Sequence, residues 1–393
     1  MNPLSAAAGR LMSPAPSIRA GVRIAPFEIE RFYERWEFRA ELMLSSSDCE
    51  SRSLASLLEL ESDARERLLA LHLGYTEVPG SRELREAVAG GYERVQPDDV
   101  LALAAAEEGI FLAYHALLEA GDHAVIETPC YGSALELARS TGARVSTWQR
   151  RYADGWAHDL DALESLLRAD TRLIYLNSPH NPTGTQMPAA VLERLLQISQ
   201  ERSIVLFSDE VYRGLEHDPA ARLPAAADAE PRAISLGAVS KAHGLPGLRI
   251  GWLACRDSRL LNQIKELKLY TTICCSAPSE VLVALALRHQ GQLIAESRER
   301  LLANLRLLDG FLARHRELLE WVRPTAGPIG FPRVEGDCDV ATWCAATADQ
   351  AGVLLLPGSV YGEPLHLRVG FGRADLSRAL ERLETYLAGG YPN

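Results

Sequence analysis

Between residues 99 and 257, short apolar runs alternate with longer stretches whose apolar positions recur every three or four residues. Runs of four to six apolar residues have the length of buried strands, and the longer period marks helices packed by one face. The pattern predicts strands over 100–105, 123–126, 144–148, 173–176, 204–207, 233–236 and 249–254. It predicts helices over 107–118, 133–140, 159–168 and 188–201. Strand and helix in regular succession imply βαβ units, and so an α/β fold with a mostly parallel sheet flanked by helices on both faces.

After residue 257 the pattern changes. Segments 258–270 and 279–315 carry the helical period, with Leu and Arg or Glu interleaved, and predict one or more long helices linking two domains. From residue 321, short strands over 353–356 and 366–369, two helices and a final amphipathic helix over 374–387 predict a smaller α+β domain. The chain before about residue 91 is expected to pack with that domain or against a second subunit. The expected division is an N-terminal arm over 1–30, a small domain with the inter-domain helix from 31–90 and 290–393, and a large domain over 91–289.

Composition narrows the function classes. A chain of 393 residues is long enough for this two-domain plan. Its net charge of −11, with no run of five or six like charges, argues against a nucleic-acid surface. No apolar run reaches the roughly 20 residues of a membrane span. Seven cysteines, an odd number without a CxxC pair, read as reduced thiols of a cytoplasmic protein. Cys274 and Cys275 are adjacent, but no His or Cys at ligand spacing accompanies them, so no metal site is expected. The first 27 residues hold Arg10, Arg19 and Arg23 without an acid. No amphipathic pattern follows, so they read as a flexible arm rather than a targeting peptide.

Candidate chemistry lies just after the predicted strands. "ETPCY" (127–131), "NSPHNPTG" (177–184), "SDEVY" (208–212) and the loop containing Lys241 each follow one. Taken singly, each reads equally well as a turn or a cap. Together they converge, because a parallel sheet brings all its strand carboxyl ends to one edge, where ligands bind. The lysine sits in "AVSKAHGLPGLRIGW" (238–252), with Arg249 eight residues beyond it.

The spaced set Asn181, Asp209, Tyr212, Lys241, Arg249 and Arg368 resembles the class I and II aminotransferase family, fold-type I enzymes that use pyridoxal 5′-phosphate. The resemblance runs from about residue 74 to 373. It implies that Lys241 carries the cofactor as a Schiff base and moves the substrate Cα proton once released. It implies that Asp209 pairs with the pyridine nitrogen, that Tyr212 and Asn181 bond the ring's phenolic oxygen, and that Tyr131 lies on the ring face. Arg249 would bind the cofactor phosphate, and Arg368, in "HLRVGFG" (366–372), the substrate α-carboxylate. "GYTEVPGSRELREAV" (74–88) matches the family's tyrosine segment, so Tyr75 would reach the phosphate in a neighbouring subunit of a homodimer.

Two stretches depart from the family pattern. Where the phosphate-cradling helix starts, the chain reads "AAAEEG" (104–109), so Ala106 and Glu107 are expected at the cofactor through backbone N–H groups. A carboxylate beside a phosphate is unfavourable, so one of Glu107 and Glu108 is expected to point elsewhere. Ala238 stands where a hydroxyl residue is common, and Ser240 is the expected substitute. "LMLSSSDCES" (42–51) resembles the subgroup that contains capreomycidine synthase. Asp48, Glu50, Glu107 and Glu108 then read either as an acidic patch for a cationic substrate or as a solvated loop.

The expected activity is amino transfer from an L-amino acid to a 2-oxo acid. The alternative is elimination, replacement or cyclisation at Cβ or Cγ, as on an arginine derivative. The intact lysine, aspartate and arginine argue against a non-catalytic relative.

Overall fold

The structure is a computed structural model that describes residues 24–390. The expected arm and its alternative, a targeting peptide, lie outside the described residues up to residue 23. The segment after them begins helix α1 (Glu28–Trp36), whose Ile29 and Trp36 are buried.

Seven strands form the central sheet: β1 (Val100–Leu103), β2 (His123–Thr128), β3 (Arg144–Gln149), β4 (Thr171–Asn177), β5 (Val205–Asp209), β6 (Ile234–Ala238) and β7 (Gly251–Ala254). Their spatial order is β1-β7-β6-β5-β4-β2-β3. All pairings among β2 to β6 are parallel, and β7 runs antiparallel to both its neighbours. The α/β reading therefore holds. Every residue of β2, β5 and β6 is buried, as expected where helices cover both faces.

Those helices are α2 (Ala106–Leu117), α3 (Gly132–Ser140), α4 (Leu160–Leu166), α5 (Ala189–Arg202) and α6 (Ser258–Lys268). Helix α2 lies close on the sheet because Gly109 has no side chain. A Cβ there would meet Leu103 at 2.8 Å and Leu236 at 2.9 Å. That approach sets the start of α2 at the sheet's ligand-binding edge.

The helical stretch over 279–315 is two helices, α7 (Ala277–Arg288) and α8 (Gln290–Arg314), which break at His289. Helix α8 reaches the carboxyl-terminal region, where Asn304 donates to the carbonyls of Phe371 and Arg373. There β8 (Ile329–Gly330), β9 (Leu356–Pro357) and β10 (Leu367–Gly370) form a small antiparallel sheet with β10 in the middle. Helices α9 (Val340–Ala351) and α10 (Leu376–Ala388) pack beside it. Leu42–Met43 pairs in parallel with Val353–Leu354, so the serine-rich segment after it hangs from this end of the molecule.

Two predicted strands were too long, for one physical reason. The strand expected over 100–105 stops at Leu103, and Ala105 adopts φ +86°. The strand expected over 249–254 starts at Gly251, and Arg249 adopts φ +52°. Side chains rarely tolerate that backbone region, and when they do the position is usually a tight turn or a functional site. Both positions border the cavity described next.

Candidate active site

Strands β4, β5 and β6 end at Asn177, Asp209 and Ala238, which line one cavity of about 570 Å³. Tyr131, Asn181, Tyr212, Ser240, Lys241, Arg249 and Arg368 line it too, as do Ala106 and Glu107 at the start of α2. The structure thus brings together every expected site residue except Tyr75. That side chain is 93% exposed and lines no part of this cavity.

Asp209 forms part of the floor. Its carboxylate accepts from the Tyr175 hydroxyl at 3.1 Å and the Val211 N–H at 3.2 Å. Burial pushes its pKa up to about 6, against the pull of those two bonds and of the Lys241 charge. Asn177 donates to the Asp209 carbonyl at 2.9 Å and accepts the Asn181 N–H at 2.6 Å, which locks the two strand ends together. Lys241 Nζ donates to Ser47 Oγ at 2.9 Å and lies 6.0 Å from the centre of the Tyr212 ring. Burial lowers the pKa of this amine, with Asp48 opposing. A lysine so placed holds its proton less tightly than a surface lysine.

At the far end, α2 points its start into the cavity, and Ala105 caps it with no side chain. A Cβ on Gly251 would sit 2.8 Å from the Ala106 nitrogen, so β7 can pass only as glycine. Glu108 turns back: it accepts the Ala104 N–H at 2.6 Å and the hydroxyls of Thr271 and Thr272 at 2.6 and 2.7 Å. Glu107 faces the cavity and accepts from Ser133 at 3.0 Å. Burial, with Glu30 and Asp209 adding repulsion, raises its pKa to about 7. The four-acid patch is therefore corrected. Glu108 caps its own helix and Glu50 accepts the Ala374 N–H at 2.7 Å, so neither lines the cavity.

Arg368 is 1% exposed. Its guanidinium donates to the Ser45 carbonyl at 2.8 and 3.1 Å, to Asn181 Oδ1 at 3.2 Å and to the hydroxyls of Tyr33, at 2.5 Å, and Tyr361. Such bonding fixes the plane of the fork. Sequence reasoning missed Tyr33 and Glu30 on α1, Tyr361, Ser47 and Arg373. Glu30 and Glu37 line the cavity, the Tyr131 hydroxyl bonds Glu30, and Phe27 packs edge-on to Tyr131 at 4.9 Å. Glu30 and Tyr33 stand three apart, as residues on one helix face do, which was the available signal. Arg373 is paired with Asp48 at 3.1 Å.

Residues 44–383 match the family model for aminotransferase class I and II. Capreomycidine synthase of Streptomyces vinaceus is 32% identical over 376 residues, covering 93% of this chain and 95% of that protein. A crystal structure of a PLP-dependent aminotransferase from Streptococcus suis superposes with TM-score 0.88 at 28% identity, over 94% of this chain and all of the other. The PLP-dependent cyclase OrfR superposes with TM-score 0.86 at 29% identity, over 95% and 99% of the two chains.

Proposed function

The chain belongs to the class I and II aminotransferase family and uses pyridoxal 5′-phosphate; on that premise we propose that it takes the Cα proton from an L-amino acid with a basic side chain and transfers the amino group to a 2-oxo acid. The observation that carries the reading is that Lys241, with its pKa lowered by burial, the buried Asp209 carboxylate and the pre-set Arg368 fork line one cavity.

The residues fit the cofactor. A helix start beside Arg249 whose cap residue, Ala105, offers no side chain to its N–H groups suits a phosphate, and Asp209 suits a protonated ring nitrogen. Bound there, pyridoxal phosphate withdraws electrons from the substrate Cα and makes its hydrogen acidic. Arg249, Ser240 and the N–H groups of Ala106 and Glu107 would hold the phosphate. Tyr131 would pack on the ring face, while Tyr212 and Asn181 would bond the phenolic oxygen. Arg368 fixes the α-carboxylate and so aims the Cα–H bond, and Lys241 receives the proton. Glu30 and Tyr33 of α1 complete the lining of the cleft.

The charges of the cleft favour a cationic side chain. With Arg249 on phosphate, Arg368 on the α-carboxylate and Arg373 on Asp48, no arginine of the cavity remains for a distal carboxylate. Glu30, Glu37 and Glu107 remain for a cation. A screen of amino acids that follows the cofactor spectrum is expected to rank arginine-like and ornithine-like substrates above aspartate and glutamate. Glu107→Gln should cost the cationic substrates roughly tenfold more than neutral ones. Aspartate or glutamate as best donor, with a silent Glu107→Gln, refutes the basic-substrate reading.

A second reading is favoured by the likeness to capreomycidine synthase along nearly the whole of both chains. Here the same proton is removed, but a Cβ or Cγ substituent leaves and the ring closes. A 2-oxo acid product selects the first reading, and a cyclic product that keeps its amino group selects the second.

We place the protein in the cytoplasm, where seven unpaired thiols persist. Among the described residues no helix is long and apolar enough to cross a membrane. We also propose a homodimer that shares its sites. Leu69, Leu73, Tyr75 and Tyr270 are between 79% and 93% exposed, which suits a surface buried by a second copy. Mixing Tyr75→Ala with Lys241→Ala subunits is then expected to restore up to about a quarter of wild-type activity. Half of randomly mixed dimers are hybrids, and each hybrid has one site free of both lesions. Absence of recovery, or a fully active monomer in sedimentation, refutes the shared site.

A further inference from the structure

The serine-rich segment 45–47 has a use that the aminotransferase reading does not supply. Ser47 belongs to the stretch that hangs from the Leu42–Met43 pairing and returns along β10, where the Gly370 N–H donates to the Leu44 carbonyl. Both flanks are pinned. Arg368 holds the Ser45 carbonyl, and Asp48 is bonded to Arg373. Between these anchors, the Ser47 hydroxyl stands in the cavity 2.9 Å from Lys241 Nζ. The Tyr212 phenol is a close neighbour. Burial pushes its pKa up, and the Arg368 charge and the nearby Ser47 hydroxyl oppose that push.

We propose that Ser47 is a catalytic residue: it holds the free amine of Lys241 in place for proton transfer. The proposal rests on the assignment of Lys241 as the proton acceptor. In the step, the Cα–H bond breaks, its electron pair stays with the substrate, and the proton bonds to the Nζ lone pair. The new ammonium has three N–H bonds. One is directed at Ser47 Oγ. A hydroxyl is suited to this place because its oxygen accepts from the ammonium without carrying a charge of its own. A charged donor makes the stronger bond, so Ser47 favours the protonated amine and eases proton uptake. Asp48, Arg368, Tyr33, Glu30, Asp209 and Tyr212 also face the amine, and all are still present when Ser47 is changed.

The chain has three lysines, so the amine can be read directly. Lys265 is on the surface with its Nζ on Asn262, and Lys268 is 0% exposed with its Nζ on the Val78 carbonyl. Reductive methylation of cofactor-free protein across pH, mapped by mass spectrometry, gives the Lys241 midpoint with Lys265 as internal reference. Ser47→Ala should move the Lys241 midpoint down by about one pH unit, the loss expected for a hydrogen bond to a charged group. In cofactor-loaded protein the same variant should slow solvent exchange of the substrate Cα proton by about 10- to 100-fold. Ser47→Thr, which keeps the hydroxyl, should restore both. The proposal is overturned if borohydride still fixes the cofactor on Lys241 while Ser47→Ala leaves midpoint and exchange unchanged. It is equally overturned if Ser47→Thr behaves like Ser47→Ala. Cofactor fixed on another lysine overturns the assignment of Lys241 itself, a different failure.

Discussion

Lys241→Ala is expected to slow solvent exchange of the substrate Cα proton by at least about 10⁴-fold, the upper range for a lost acid–base group, because on the proposed function the same side chain also carries the cofactor. The choice among three lysines follows from the geometry. Lys268 is fully buried but spends its ammonium on the Val78 carbonyl, and Lys265 is a surface group. Lys241 alone lines the cavity, 2.9 Å from Ser47 and with a pKa lowered by burial. The variant should still take up cofactor, since Arg249, the start of α2 and Asp209 are intact. It should then lose cofactor on gel filtration, as the covalent link is gone. A small added primary amine should recover part of the exchange. A variant exchanging at more than about a hundredth of the wild-type rate removes Lys241 from the mechanism.

How much of this was legible beforehand depends on the kind of residue. Asn181, Asp209 and Lys241 follow strands, and a parallel sheet delivers strand ends to one edge whatever the loops do. Periodicity alone located that edge, and the spacing of Lys241, Arg249 and Arg368 resembled a known family. Ser47 was illegible for the opposite reason, and the shared helix face of Glu30 and Tyr33 did not say what that face would meet. Each reaches the cavity through a contact distant in sequence, such as Tyr33 with Arg368 or Ser47 with Lys241. Local pattern holds no record of such pairs. Glu107 and Glu108 mark the limit of propensity reasoning. Both are acids in a first turn, favoured there by the helix dipole. Only the positive φ of Ala105 and the threonines at 271 and 272 decide that one faces the cavity and the other the helix start.

Asp209→Asn is expected to separate stability from catalysis, with opposite signs. In the cofactor-free fold the carboxyl has a pKa of about 6, against 3.8 for an ordinary aspartate, chiefly because it is buried. Between those values the folded chain binds more protons than the unfolded chain, so this group's contribution to stability falls as pH rises through the window. Above pH 6 the fold must keep an ionised carboxylate that the unfolded chain exposes freely, a cost of up to about 3 kcal/mol. Asparagine has nearly the same shape and no charge. Cofactor-free Asp209→Asn should therefore be more stable than wild type at pH 8, by about 1–3 kcal/mol in denaturant unfolding, with the advantage shrinking towards pH 4. Glu107 titrates in an overlapping range, and in the variant it loses the repulsion from Asp209, which adds to the gain in stability at high pH. With cofactor the order reverses. The ring nitrogen loses its counter-charge, and exchange of the substrate Cα proton should fall by about 10²- to 10³-fold, as when a preorganised electrostatic partner is removed. Cofactor should also stabilise the variant less than it stabilises wild type. A net cost to the cofactor-free fold is what a carboxylate kept for the proposed pairing with the ring nitrogen would show. A variant that is less stable than wild type without cofactor at pH 8, or that keeps exchange within tenfold, would show that Asp209 serves the fold instead.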